Sequence, residues 1–210
     1  MIDLATFVLG PLENNSYILS EDDSREAFIV DPSFDPVPLV QYVEQNRLIV
    51  KAILLTHAHF DHIAGVPYLV GILPASPGVA LSAADAFLYA QSGGATDYGI
   101  RLGELPSITQ TLVHGQKLHL GNESVEVRAV PGHTPGHVLF YIPSMEAALC
   151  GDLIFKQSIG RTDLPGGNFD TILSSIHSQV LTLPLATTLY PGHGPFTTVA
   201  EEMSTNPFLI

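Results

Sequence analysis

Short apolar runs alternate with helical patterns along this chain. Residues 2–9 predict a strand, closed by Gly10-Pro11. Asn14-Asn15 predicts a turn into a strand over 16–19, and residues 21–24 a turn into another over 27–30. Residues 36–46 predict a helix, because Val37, Val40 and Val43 recur at near-helical spacing. The apolar run at 50–55 reads as a strand covered on both faces, with a helix following within 62–71. A strand at 79–81 leads to Ser82, placed to cap a helix that carries Ala83, Ala86, Phe87 and Ala90. Residues 93–107 are glycine-rich and patternless, which predicts a long loop of the kind that is often functional. Further strands are predicted at 109–113, 117–120, 124–130, 138–142 and 147–150. Asn168 is placed to cap a helix with Phe169, Ile172, Leu173, Ile176 and Val180 on one face. A strand at 187–190 and a short helix at 197–203 complete the pattern. Antiparallel and crossover order together point to an α/β fold of two sheets with helices outside.

At 210 residues the chain can bury a core that needs no disulfides. No linker or low-complexity tract divides it, so residues 1–210 are expected to form a single domain. Lys plus Arg number 8 against 21 Asp plus Glu, a formal net charge of −13. So few cations, scattered along the chain, argue against a nucleic-acid partner and against a basic membrane-surface helix. No apolar run approaches the ~18–20 residues of a membrane span, and the first residues lack a positive n-region. The single cysteine, Cys150, cannot form an internal disulfide and reads as a packed strand residue. The expectation is an acidic, cytoplasmic protein acting on a small molecule, as a monomer or a small homo-oligomer.

The candidate chemistry concentrates in Thr56-His57-Ala58-His59-Phe60-Asp61-His62, where the strand at 50–55 ends. In extended chain His57 and His59 project to one side, and Asp61 and His62 follow in the turn into a helix. Four ligand-type residues so close together make a dense nitrogen and oxygen site. His133, Asp152 and His193 each follow a β run and a glycine, at junctions where α/β sheets place ligands.

The order His57-x-His59-x-Asp61-His62, then His133, Asp152 and His193, resembles the metallo-β-lactamase superfamily. The resemblance implies an αββα sandwich of two mixed sheets flanked by helices, with metals at one edge. It implies that His57, His59 and His133 hold one metal, that Asp61, His62 and His193 hold a second, and that Asp152 bridges them. Two divalent ions per chain follow, zinc first, with iron or manganese as alternatives. Asp152 stands where two-metal β-lactamases carry Cys, which favours the hydrolase branch.

The segments 132–137 and 160–163 narrow the resemblance to short glyoxalase II-type proteins, which hydrolyse hydroxyacyl-glutathione thioesters. Residues 160–163 also resemble persulfide dioxygenases, an iron-dependent branch with the same seven ligands. The leading implication is a thioester hydrolase in which a hydroxide shared by both metals attacks the carbonyl. Asp61 would then hold the second metal and orient that hydroxide. Arg161 stands where full-length glyoxalase II enzymes carry a basic glutathione contact, whereas Asp163 replaces their Tyr. Asp31 is expected to hold the ligand loop, and His137 to buttress the His133 loop. Few residues follow His193, so no C-terminal helical domain like theirs is expected, and residues 93–107 and 159–168 are expected to shape the substrate site.

Overall fold

The computed structural model describes residues 1–74 and 76–210. Its first sheet runs β1 (Ile2–Leu9), β2 (Asn14–Glu21), β3 (Glu26–Val30), β4 (Ile49–Leu54), β5 (Gly78–Ser82) and β6 (Gln110–Leu112), side by side in chain order. The first three strands pair antiparallel, and β3 to β6 pair parallel. The second half supplies β7 (Lys117–Leu120), β8 (Glu123–Ala129), β9 (Val138–Ile142) and β10 (Ala147–Gly151). A small hairpin of β11 (Ile154–Phe155) and β12 (Ser158–Ile159) follows, then β13 (Thr188–Pro191) and β14 (Thr197–Thr198). The second sheet has the order β14-β13-β10-β9-β8-β7, and only β10 and β13 pair parallel within it.

Three apolar layers hold these sheets and their helices together. Between the sheets, Tyr17, Leu19, Phe28, Val30 and Leu54 meet Val125, Val127, Phe140, Ile142 and Leu149. On the outer face of the first sheet lie α1 (Val37–Gln45), α2 (Phe60–Ile63), α3 (Val66–Ile72) and α4 (Ala86–Ala90). There Leu39, Val43, Ile63, Leu69 and Leu88 cover Ile18, Ile29, Ile53 and Leu81. The outer face of the second sheet is covered by α5 (Phe169–Ser175), its π-helical continuation Ile176–Val180, and α6 (Val199–Thr205). Ile172, Ile176, Val180 and Val199 pack there on Leu139, Ala148, Cys150 and Leu189. Successive side chains of a strand point to opposite faces, so β3 sends Phe28 and Val30 inward and Ala27 and Ile29 outward. Both faces are covered, which is why these strands read as unbroken apolar runs. The architecture is the expected αββα sandwich of two mixed sheets.

Several local expectations differ from the structure. Asn14 and Asn15 are not a turn: they open β2 and are buried, and the turn is residues 10–13. The helix expected within 62–71 is split into α2 and α3 at Gly65. Ser82 stands at the start of a 3-10 turn, but its hydroxyl makes no capping bond. Residues 93–107 are not structureless, since 3-10 turns span Ser92–Tyr98 with left-handed Gly93 and Gly94 between them. Those glycines erased the periodicity that would have revealed the turns. The Asn168 cap forms as expected, accepting from the Thr171 N–H at 2.9 Å. Among the described residues no helix is long and apolar enough to cross a membrane.

Candidate metal centre

The loops that leave β4, β8, β10 and β13 converge at one edge of the sandwich. His57 and His59 lie on the first of these, and Asp61 and His62 in α2. His133 is on the β8–β9 loop, Asp152 follows β10 and His193 follows β13. One ligand atom each from His57, His59 and His133 lies within 4.8 Å of the others, and so does one each from Asp61, His62 and His193. Asp152 stands beside both trios. Its carboxylate is 3.4 Å from His62 Nε2 and 3.7 Å from both His133 Nε2 and His193 Nε2.

The hydrogen bonds around this cluster turn lone pairs inward. Thr56 donates its N–H (2.7 Å) and its hydroxyl (2.6 Å) to the Asp31 carboxylate. That hydroxyl oxygen can then accept from His57 Nδ1 at 3.0 Å, which leaves Nε2 as the ring's free acceptor. His62 donates Nδ1–H to Asp31 at 3.0 Å, His133 to the Arg161 carbonyl at 2.7 Å, and His193 to the Leu12 carbonyl at 3.0 Å. Among the described residues eight buried side-chain atoms lack a hydrogen-bond partner, and three of them, His57 Nε2, His62 Nε2 and Asp152 Oδ1, belong to this ligand set. Buried polar atoms are ordinarily paired, and three converging orphans are what a bound cation accounts for. Imidazole with carboxylate suits zinc, iron or manganese. The residues therefore fit a pair of divalent ions. Asp31, His57 and His62 also fall within ligand spacing. The three hydrogen bonds that Asp31 already accepts make it a holder of ligands rather than a ligand.

Charge is divided unevenly between the trios. Burial, reinforced by the neighbouring imidazoles, pushes His57 far below its ordinary value, and burial and His133 push His59 down to about 3. Burial opposes charge at His62 and His193 too, but Asp152 and Asp61 overcome it and raise both. Burial likewise raises Asp61, yet His62 and a hydrogen bond from His193 bring it down to about 2. The sign of the pH dependence follows. His57 and His59 take a cation without giving up protons, whereas His62 and His193 must release theirs, so affinity at the second trio rises with pH. Calorimetry in buffers of different ionisation enthalpy should show proton release on metal binding by His59→Ala that exceeds the release by His193→Ala.

Other expected residues also take definite places. His137 packs against the His57 and His133 rings, with centroids 4.9 and 5.7 Å away, and its carbonyl accepts from Val130 N–H at 2.8 Å. The Arg161 side chain lies at the site's rim, exposed, with its guanidinium forked onto Asp163 at 2.8 and 2.7 Å. Cys150 is buried in β10 and its thiol is pushed up to about 12 by burial, which makes it a packing residue. The glycine before His193 is explained by contact. A Cβ on Gly192 would strike the Asp152 carboxylate and the His62 ring.

Three residues of the site were not legible. Asn14 donates to Asp61 Oδ2 at 2.7 Å and lies 3.3 Å from His193 Nε2, while Asn15 holds the Pro191 and Gly194 carbonyls. Asp85 is fully buried in the 3-10 turn after β5. It accepts from Ala58 N–H (3.1 Å), Thr134 hydroxyl (2.7 Å) and Gly136 N–H (2.6 Å). One carboxylate thus ties the His57–His59 loop of one sheet to the His133 loop of the other. A lone Asp in a helix's first turn gives no sequence sign of this, because it reads as a dipole partner. Asp85→Ala should weaken metal binding at the first trio by about 10–100-fold and spare the second, as read by chelator competition. Asp85→Asn, which keeps one acceptor, should recover part of the loss.

Two linked sheets that deliver imidazole and carboxylate ligands to one edge define a class of metal-binding αββα proteins. The chain belongs to the metallo-β-lactamase superfamily, whose family model matches residues 9–193. It is 35% identical to the hydroxyacylglutathione hydrolase GloC of Haemophilus influenzae, over 90% of this chain and 89% of that protein. The crystal structure of the BLEG-1 B3 metallo-β-lactamase is similar with TM-score 0.90 and 38% identity, covering 99% of each chain. The crystal structure of TTHA1623 in a di-iron-bound form is similar with TM-score 0.88 and 38% identity, over 98% of this chain and 100% of the other.

Proposed function

We propose that this chain is a metal-dependent thioester hydrolase of the hydroxyacyl-glutathione hydrolase type. The reading rests on the geometry of the cluster, in which the Asp152 carboxylate stands within 3.7 Å of imidazoles from both trios. Asp61 is drawn down to about 2 by His62 and His193, and Asp152 is lowered still further by His62 and its neighbours against the effect of burial. Both carboxyls are therefore ionised at neutral pH and hold no standing proton for a leaving group. A thiolate leaves without one, because thiols ionise near pH 8.5, whereas an amide nitrogen needs a donor. The likeness to GloC supports the same reading.

His57, His59 and His133 would hold one ion, Asp61, His62 and His193 the other, with Asp152 reaching toward both. When bound, such ions supply a Lewis acid and lower the pKa of water toward 7. The chain's own residues then have separate tasks. Asp61, fixed by the Asn14 amide, presents an ionised oxygen that can accept a proton of an attacking water. Asp31 and Thr56 fix the rings of His62 and His57, and Asp85 fixes the spacing of the two ligand loops. Phe60 and Leu88 line the approach with apolar surface.

The test is a panel on protein loaded in turn with zinc, iron and manganese: glutathione thioesters, a β-lactam, and glutathione persulfide with oxygen uptake followed. Thioester hydrolysis that dominates over the other two supports the proposal. Dominant lactam cleavage or oxygen uptake contradicts it.

A further inference from the structure

Two depressions meet at the ligand cluster, a cleft of about 800 Å³ and a groove of about 680 Å³. Asp152, Arg161 and His193 line both, so a substrate whose scissile bond lies at the cluster would extend one end into each. The two ends share apolar side chains and differ in how many there are and in what stands beside them. Leu12, Phe60, Phe87, Tyr98, Ile100 and Leu164 wall the cleft. The groove has fewer apolar side chains, Phe155, Ile159 and Pro195, and adds Lys156, Gln157 and Ser158 beside them.

The apolar wall is exposed and yet fixed. Leu12, Phe87 and Tyr98 are 47%, 45% and 55% exposed, large apolar side chains left in water around one concavity. Such clustered exposure marks a binding surface. The Tyr98 ring rests on Phe60 with centroids 5.2 Å apart. Gly93, at φ +64°, lies so close to the ligand loop that a Cβ would collide with the Ala58, His59 and Phe60 backbone. The Ser92–Tyr98 turns are therefore pressed onto the loop that carries the ligands, which sets the wall in register with the reaction centre.

Charge on the wall discourages an anionic group. The fork of Arg161 is taken by Asp163, and outside the ligand set the cleft adds only the acid Asp97. In the groove, Lys156 is paired with Glu201 at 2.9 Å.

We propose that the cleft receives the acyl side of the thioester and selects uncharged, apolar acyl groups, aliphatic or aromatic, while the polar thiol carrier lies along the groove. This rests on the thioesterase reading. The reaction is hydrolysis: a C–O bond to water forms, the C–S bond breaks, and carboxylate, thiol and one proton are released. Burial of each further methylene against Phe87, Tyr98 and Leu164 raises kcat/KM about four-fold.

The experiment uses the metal-loaded full chain with N-acetylcysteamine thioesters of acetyl, butanoyl, hexanoyl, phenylacetyl, lactoyl and succinyl groups. The expected result is a rise of about 10²-fold from acetyl to hexanoyl, with succinyl poorest. Leu164→Glu should shrink the hexanoyl-to-acetyl ratio by about ten-fold or more. A flat series, a preference for acetyl or lactoyl, or a rate that follows the apolarity of the carrier instead overturns the proposal. Failure to hydrolyse any thioester overturns the thioesterase reading itself. Calorimetry then decides the cleft alone. Phenylacetamide bound at least ten-fold more tightly than acetamide by the wild type, but not by Leu164→Glu, supports an apolar cleft, and equal binding overturns it.

Discussion

Asp152→Ala should lower kcat/KM for thioester hydrolysis by about 10³-fold or more, about 4 kcal/mol of transition-state stabilisation. The reason is position. Its carboxylate lies within 3.7 Å of imidazoles from both trios, with one oxygen unpaired. No neighbouring side chain can replace it, because Cys150, two residues earlier, points into the outer apolar layer. Metal content should fall together with activity, while far-UV circular dichroism stays that of the wild type. Asp152→Asn, which keeps the shape and loses the charge, should behave like Asp152→Ala in activity. Wild-type turnover in either variant would remove Asp152 from the mechanism.

Asp31→Ala should be the most damaging change outside the ligand set. Asp31 accepts hydrogen bonds from Thr56 N–H, Thr56 hydroxyl and His62 Nδ1–H, all buried. Each buried donor left unpaired costs about 1–3 kcal/mol, so the metal-free fold should lose about 3–5 kcal/mol in urea unfolding. Metal affinity at the second trio should also fall by about 10–100-fold, because His62 loses the partner that fixes its tautomer. Strain adds a separable part. Asp31 sits at φ 47°, where Ala is costly and Gly is not. Asp31→Gly should therefore unfold less readily than Asp31→Ala yet bind metal equally poorly. Equal metal affinity in wild type and Asp31→Gly would show that Asp31 acts on the fold alone.

The sandwich was largely legible because both sheets are covered on both faces. That turns β9, β10 and the buried ends of β3 and β4 into apolar runs with turn signals beside them. The ligand cluster was legible because His57, His59, Asp61 and His62 are local in sequence, and because Gly-His and Gly-Asp junctions repeat at 133, 152 and 193. Three things were hidden, each for a physical reason. Asn14 and Asn15 look like turn residues, but buried tertiary partners, Asp61 and the His193 loop, outweigh local preference and draw them into β2. The Ser92–Tyr98 turns rely on left-handed glycines, which leave no apolar period to read. Asp85 works through contacts with residues 58, 134 and 136, and a single carboxylate has no pattern that predicts partners so distant in sequence.

Metal titration with activity read at each point tests whether the two trios act as a pair. Metal-free protein is titrated with zinc, iron or manganese while bound metal per chain and thioester hydrolysis are followed together. Saturation is expected at two ions per chain, with hydrolysis rising as the second trio fills and lost in both His59→Ala and His193→Ala. Full activity with a single iron, oxygen consumed with glutathione persulfide and thioesters left intact would contradict that pairing.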